Sequence, residues 1–282
     1  MTPISIDPPS GFGPFELAEW VEAYIQLNGL ASISRSAIAA SFPAGQAPDA
    51  AELDEFFAEI RRRASAAPNL YPYSTNDDLI ETRNDVDATA YDFLVILSIE
   101  AAPYRTGNGF NEVSPWLELL GREALLQYMG GGKAVRFGWP AGDGRPEHLV
   151  DAIPWLAKLL ELPVGNISEI DLDDKDGGVD VVGWRPFADH QPSFAVYLVQ
   201  VTVQATYERK GRDVNSEAWL AWILFGKPPV SALAIPYAIP PEAKSWIQLK
   251  RQVNLVLDRV RIVEMVDPRD LASFPEHADM RA

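Results

Sequence analysis

The chain has 282 residues, 47% of them hydrophobic and 23% charged, a composition typical of a globular protein with one large domain or two ordinary ones. Its 24 basic and 40 acidic residues give a net charge of −16, so binding of nucleic acid would need a local basic patch, a metal or a basic partner. The absence of cysteine excludes disulfides and thiolate chemistry. The three histidines are widely spaced, which disfavours a zinc hydrolase. Any metal site would therefore use carboxylates and a hard cation.

The N-terminal region is predicted to be mainly helical. Residues 1–20 contain no basic region followed by an apolar stretch, and no run in the chain is long enough to cross a membrane, so we expect a cytoplasmic protein with no membrane partner. Apolar spacing and capping residues predict helices over 14–28, 34–42, 48–67 and 87–103, with a small hairpin or loop over 69–82.

These elements form the first predicted domain, residues 1–105. Three helices followed by a hairpin fit either a helical cap packed on the main domain or a winged helix-turn-helix. The second alternative would make the chain a transcriptional regulator, but its recognition segment offers only Arg35 as a basic group, which favours the helical cap.

A second domain, residues 106–282, follows a break rich in Gly and Pro near residues 103–109. Helices and strands mix in the remaining order, which predicts an α/β fold with a mixed central sheet. The predicted helices are 114–131, 146–162 and 215–226, and the predicted strands are 133–140, 178–184, 193–207, 231–239 and 252–266, before a loose tail over 267–282.

Polar side chains interrupt the apolar strands at regular positions. Gln200, Thr202 and Gln204 occupy alternate positions, so in a strand they project from one face, near Asp180 on the preceding strand. Such a row is either a hydrogen-bond ladder on an exposed face or the floor of a site. Asp180 lies between valines, where an unpaired carboxylate is costly, which favours a structured or metal-binding role. Glu118, on an otherwise apolar helix, is either a solvated residue or a further member of the site.

The order of these elements and their polar residues resembles the restriction-endonuclease-like superfamily, also written PD-(D/E)XK. The segments "WLELLGREALLQYMGGGKAVRFGWP" and "KDGGVDVVGWRPF" are also similar to uncharacterised bacterial proteins associated with phage-defence gene clusters. The resemblance implies an α-β-β-β-α-β core, in which a helix acid, a strand Asp and an E-x-K or Q-x-K on the next strand gather around magnesium. Carried over to this chain, Glu118 matches the helix acid, Asp180 the strand acid and Gln200 the E/Q position.

The chain departs from this pattern at the lysine, where it has Thr202. A threonine hydroxyl carries no positive charge, and the nearest lysines along the chain are Lys175 and Lys210. The resemblance therefore implies that Glu118, Asp180 and Gln200 hold magnesium or manganese and that Thr202 positions water or phosphate.

Two functions follow from the resemblance. One is a metal-dependent DNA nuclease, a hydrolase acting in antiviral defence, with nucleic acid, other defence-system proteins and further copies of the chain as partners. The other is a degenerate nuclease fold that serves as a binding or assembly module, which the absent lysine and the acidic surface favour. Both depend on Glu118, Asp180 and Gln200 meeting at one place.

Overall fold

The computed structural model describes residues 6–9, 11, 13–99, 109–171, 173–241 and 244–266, with the backbone alone for 109–114. The chain divides into two compact units, one containing residues up to Gly109 and one running from Phe110 to Val266. The predicted boundary between residues 105 and 106 falls outside the described residues, as does the predicted tail over 267–282.

The first unit combines helices with a small antiparallel sheet in which the order of strands is β1-β3-β2. The predicted helices and hairpin are present, and a short strand before the second helix, which was not predicted, completes the sheet. The elements are α1 (Pro14–Asn28), β1 (Ser32–Ser34), α2 (Arg35–Ala40), α3 (Ala50–Ala66), β2 (Tyr73–Thr75), β3 (Leu79–Thr82) and α4 (Thr89–Ser98).

A buried ionic cluster joins α1 and α3. The guanidinium of Arg63 is fully buried and lies 2.8 Å from Glu19, 2.9 Å from Glu22 and 2.8 Å from Glu59. The hydroxyl of Tyr71 donates a hydrogen bond of 2.7 Å to Glu22. Charges that are removed from water in this way are tolerated only when each has partners, so this cluster fixes how the two helices pack.

The second unit is built on a five-stranded mixed sheet with the order β4-β5-β6-β7-β8. The first three strands pair antiparallel, and β7 and β8 are added in parallel to β6. The elements are α5 (Gly109–Tyr128), β4 (Lys133–Arg136), α6 (Leu149–Leu160), β5 (Val181–Trp184), β6 (Val196–Val201), a 3-10 helix (Tyr207–Arg212), α7 (Ser216–Trp222), β7 (Val230–Ala234), α8 (Lys244–Leu249), β8 (Leu255–Leu257) and α9 (Arg259–Met265).

Helices cover both faces of this sheet, in agreement with the continuous burial along its interior strand β5. On one face, α6 and α7 pack against β5 and β6 through residues such as Leu156, Trp219 and Leu198. On the other face, α5 comes so close that a side chain on Gly121 would touch Ala234 and one on Gly183 would collide with Leu125. The predicted mixed α/β sheet is confirmed.

All five predicted strands of this unit are longer than the observed strands, and two of the differences change how a segment is interpreted. The strand predicted over 193–207 ends at Val201, so Thr202 and Gln204 do not continue a row on one face of the sheet. The strand predicted over 252–266 contains only β8, because the side chain of Asp258 accepts a hydrogen bond from the backbone N–H of Arg261 and starts α9. The helix α8 was not predicted.

No helix in the described ranges is both long enough and apolar enough to pass through a membrane.

Candidate functional site

The candidate site lies at the end of the sheet where β4 ends, β5 begins and β6 ends. Glu118 enters it from α5 and is 1% exposed. Its Oε2 accepts a hydrogen bond of 2.5 Å from Nε of Arg136, the last residue of β4. An acid that is buried on an apolar helix is stable as a charged group only beside such a cation, so Glu118 is not the solvated residue that the sequence left open.

Asp180 lies directly before β5, and its backbone fixes its place between two other strands. Its N–H donates to the carbonyl of Val199 at 2.8 Å, and its carbonyl accepts from the N–H groups of Phe137 at 2.6 Å and Gly138 at 2.9 Å. Its side-chain Oδ2 accepts from the N–H of Val201 at 2.6 Å. The backbone ends of β4 and β6 therefore hold Asp180 in position from both sides.

Gln200 lies opposite Asp180 on β6, as the pairing of Val181 with Val199 requires. Its Nε2 donates to Oδ2 of Asp180 at 2.7 Å and to the carbonyl of Val201 at 3.1 Å. The amide group of Gln200 therefore supports Asp180 through its nitrogen.

The carboxylates of Glu118 and Asp180 meet across Gly138. A Cβ placed on Gly138 would lie 2.7 Å from Oε2 of Glu118 and 3.0 Å from Oδ1 of Asp180. The two oxygens are thus no farther apart than the sum of these distances. The missing side chain of Gly138 leaves the space between them open. Glu118, Asp180 and Gln200, which are distant along the chain, are brought together.

The electrostatics of the site follow from this proximity. Burial raises the pKa of the Asp180 carboxyl well above its ordinary value, and the charge of Glu118 raises it further, while the N–H of Val201 and the guanidinium of Arg136 act in the opposite direction. Because Oδ2 already accepts two N–H groups, a proton on Asp180 belongs on Oδ1, the oxygen that lies near Glu118 across Gly138.

Two buried arginines were not identified from the sequence: Arg136, which contacts Glu118, and Arg145, which lies over the ring of Phe137. Nη2 of Arg136 and Nε of Arg145 have no hydrogen-bond partner among the described residues, although both side chains are buried. Burial lowers the pKa of Arg145, and Asp176 opposes this change, while the charge of Arg136 adds to it. The sequence offered one sign of Arg136: it lies inside the apolar predicted strand "KAVRFGWP", directly before Phe137. A cation inside a buried strand needs an acid partner.

The other predicted residues lie around this centre with different partners. The hydroxyl of Thr202 is buried and accepts from the N–H of Gln204 at 3.2 Å, a local turn that follows the end of β6. Lys210 pairs with Asp213 at 3.0 Å, and Nζ of Lys175 lies 4.3 Å from the centre of the Trp139 ring. Of the cationic groups in the described part of the chain, Arg136 is the one seen to contact Glu118 directly.

The donor set fits magnesium only in part. The described residues contain no cluster of three or more His, Asp or Glu side chains able to hold a metal ion. Magnesium, however, is usually bound by one or two carboxylates, with waters and substrate phosphates as its other ligands. Glu118 and Asp180 satisfy that smaller requirement, provided that Arg136 shares Glu118 with the ion.

Comparison with models of protein families, with curated proteins and with solved structures finds no match to the chain. Its function is therefore inferred from its own residues.

Proposed function

We propose that the chain is a magnesium- or manganese-dependent nuclease that hydrolyses DNA in a bacterial anti-phage defence system. One observation carries the proposal: two buried carboxylates, Glu118 from a helix and Asp180 from the sheet, meet across Gly138. A buried acid whose pKa is raised by desolvation and by a neighbouring carboxylate, as that of Asp180 is, is costly for a fold, and such groups are concentrated at functional sites.

The topology supports the same proposal. The elements α5, β4, β5, β6, α7 and β7 follow the α-β-β-β-α-β order that the resemblance implies, with α6 inserted between β4 and β5. The antiparallel strands β4, β5 and β6 are followed by a crossover through α7 to the parallel strand β7. The polar residues lie at the end of the sheet where β4, β6 and β7 finish, a common place for ligand sites in α/β sheets.

The residues of the chain then have distinct roles. Glu118 and Asp180 would hold the metal, which when bound polarises a phosphodiester and acidifies water. Gln200 keeps Oδ2 of Asp180 fixed, so that Oδ1 stays directed toward the space beside Gly138. Arg136 supplies the positive charge that Thr202 lacks, and a phosphate oxygen would satisfy its buried Nη2, which has no partner among the described residues. Thr202 acts through the turn at the end of β6.

The test is cleavage of plasmid DNA by the purified full chain with Mg²⁺ or Mn²⁺. Asp180→Asn and Glu118→Gln should each reduce the rate at least about 100-fold, because each removes a charged metal ligand. Glu123→Gln and Asp213→Asn are matched controls, since these acids pair with Arg122 and Lys210 rather than with Arg136 and should leave the rate unchanged. Undiminished cleavage by Asp180→Asn would refute the assignment.

A degenerate nuclease fold that acts as a binding or assembly module is the second candidate. It is favoured by Arg136, which already neutralises Glu118, and by the uncharged Thr202 at the position of the motif lysine. Calorimetric titration separates the two functions. Heat of Mg²⁺ binding that disappears in Asp180→Asn supports the nuclease, whereas stable association with a defence protein without metal binding supports the module.

The first unit offers less support for a regulator that binds duplex DNA. Its order of three helices and a sheet β1-β3-β2 fits the winged helix alternative. The exposed first turns of α3, however, carry Glu52, Asp54 and Glu55, and Arg35 is already paired with Asp54. Negative charge beside the recognition segment that contains Arg35 repels phosphate, which disfavours binding of duplex DNA by this unit.

A further inference from the structure

A solvent-exposed tryptophan stands next to the carboxylate pair. Trp139 follows Gly138 directly and is 41% exposed, whereas Trp184 and Trp219 of the same unit are 2% and 0% exposed. A large aromatic ring that faces water costs free energy and contributes nothing to the core. Trp139 lies one residue from Gly138, where Glu118 and Asp180 meet, a position from which its ring could contact a ligand of the site.

The ring of Trp139 is held by a cation that is itself anchored near the site. Nζ of Lys175 lies 4.3 Å from the ring centre, a cation–π contact. The carbonyl of Lys175 accepts a hydrogen bond from Nη2 of Arg145, and the guanidinium of Arg145 lies 4.5 Å from the centre of the buried Phe137 ring. Trp139 and Lys175 thus form one platform that is fixed to the end of β4.

A buried donor without a hydrogen-bond partner in the described ranges lies three residues before Trp139 in the chain. Nη2 of Arg136 is a buried donor without a partner in the described part of the chain, and the side chain of Arg136 is 9% exposed. A buried N–H group without an acceptor is costly, and a phosphate oxygen satisfies it well. Arg136 and Trp139 are three residues apart, so their backbones lie at most about 10 Å from each other, the scale of one or two nucleotides.

We propose that Trp139, together with Lys175, stacks an unpaired base whose phosphate is bound by Arg136, so that the substrate is single-stranded DNA or an unpaired DNA end. This inference rests on the proposed nuclease function and specifies its substrate class. Stacking of bases on aromatic rings needs few phosphate contacts, unlike the footprint of a duplex, and it therefore suits a chain with a net charge of −16.

The test is equilibrium binding of a fluorescein-labelled 12-nucleotide single strand, measured by anisotropy with the full chain and with Ca²⁺ in place of Mg²⁺. A duplex and an RNA strand of the same length are the comparison ligands. Trp139→Ala should weaken single-strand binding by roughly 5- to 150-fold, the range that loss of one stacked base gives. Trp139→Phe should recover most of this loss, because it restores an aromatic ring for stacking.

Phe187→Ala is the matched control, because Phe187 is an exposed aromatic residue that follows the opposite end of β5 from Asp180, and this variant should bind as the original chain does. Equal affinity of Trp139→Ala and the original chain would overturn the inference, as would preference for the duplex or no single-strand binding at all. A preference for RNA over DNA would overturn the assignment to DNA.

Hydrolysis of methyl p-nitrophenyl phosphate, a diester without a base, separates this inference from the proposed function. Hydrolysis by the original chain without Trp139-dependent binding leaves the nuclease proposal intact and removes the stacking platform. Trp139-dependent binding without hydrolysis under Mg²⁺ or Mn²⁺ removes the nuclease and leaves a single-strand binding module.

Discussion

Replacement of Arg136 by Met tests the electrostatics of the site most directly. The Nε of Arg136 is bonded to Glu118 at 2.5 Å, and its charge also lowers the pKa of Asp180. Methionine fills a similar volume without charge, so the change leaves two buried carboxyl groups beside each other with no cation between them.

The expected cost is large because both partners are buried. The side chains of Arg136 and Glu118 are 9% and 2% exposed, and loss of one partner from a buried ion pair costs about 3–5 kcal/mol. Arg122→Met is the matched control, because Arg122 pairs with Glu123 at 2.6 Å on the same helix as Glu118 but is 29% exposed. A pair of this kind contributes about 0–1 kcal/mol.

The assay is urea unfolding of the full chain, with and without Mg²⁺. The double variant Arg136→Met/Glu118→Gln should recover about 1–3 kcal/mol relative to the sum of the single changes, because the uncompensated charge is gone. If the carboxylates bind metal, Mg²⁺ at 100 times its Kd should stabilise Arg136→Met by about 2.7 kcal/mol. A loss no larger than that of Arg122→Met would refute the account of a buried pair, and an unchanged stability in Mg²⁺ would refute the metal site.

Three further predictions concern Asp180, Gly138 and Arg63. Because the folded pKa of Asp180 is raised above its ordinary 3.8, the folded state binds more protons above that pH, and the stability that this proton provides is lost as pH rises through the folded pKa. Urea titrations should therefore show that Asp180→Asn is more stable than the original chain at neutral pH, by ~1.4 kcal/mol for each pH unit between the unfolded and the folded pKa of Asp180. Near pH 3 the two proteins should be equally stable. The opposite trend would contradict a raised pKa of Asp180. Gly138→Ala places a Cβ 2.7 Å from Oε2 of Glu118, and this overpacking should lower the free energy of unfolding by about 1–3 kcal/mol in thermal unfolding. The same variant should bind Mg²⁺ more weakly in calorimetry. Unchanged metal affinity would show that the metal does not use the space beside Gly138. Arg63→Met should destabilise the first unit by about 3–5 kcal/mol in urea unfolding, because it removes the cation of a buried cluster. Arg61→Met is the control and should cost less than about 1 kcal/mol, because the pair of Arg61 with Asp77 is exposed. Similar losses of stability in the two variants would mean that the buried cluster does not hold α1 and α3 together.

The sequence predicted helices better than the ends of strands. The helix α3 was identified from its acidic start and basic end, and it begins with the reciprocal capping of Asp49 and Glu52. The segment 252–266 was predicted as a strand because it is rich in Val and Ile, yet Asp258 caps a helix in its middle. Composition alone does not locate such a switch, since Val and Ile are compatible with a buried helix.

The sequence predicted the two acids that the structure brings close together, but not the cation beside them. Glu118 and Asp180 were predicted from a resemblance, and the structure brings them together across Gly138. Arg136 was overlooked because the expected cation was a lysine near Thr202, two positions beyond Gln200. Contacts between a helix, one strand and the residue before another strand depend on the tertiary fold, which spacing along the chain does not encode.

Natural variation at position 180 would reflect folding as well as chemistry. The side chain of Asp180 also serves the sheet, because its Oδ2 accepts from the N–H of Val201. An asparagine would provide the same acceptor, so persistence of Asp or Asn there in diverged sequences would be expected from folding alone. Glu118 instead contacts the charged side chain of Arg136. Retention of both residues together in diverged sequences would be stronger evidence of selection for chemistry than retention of Asp180.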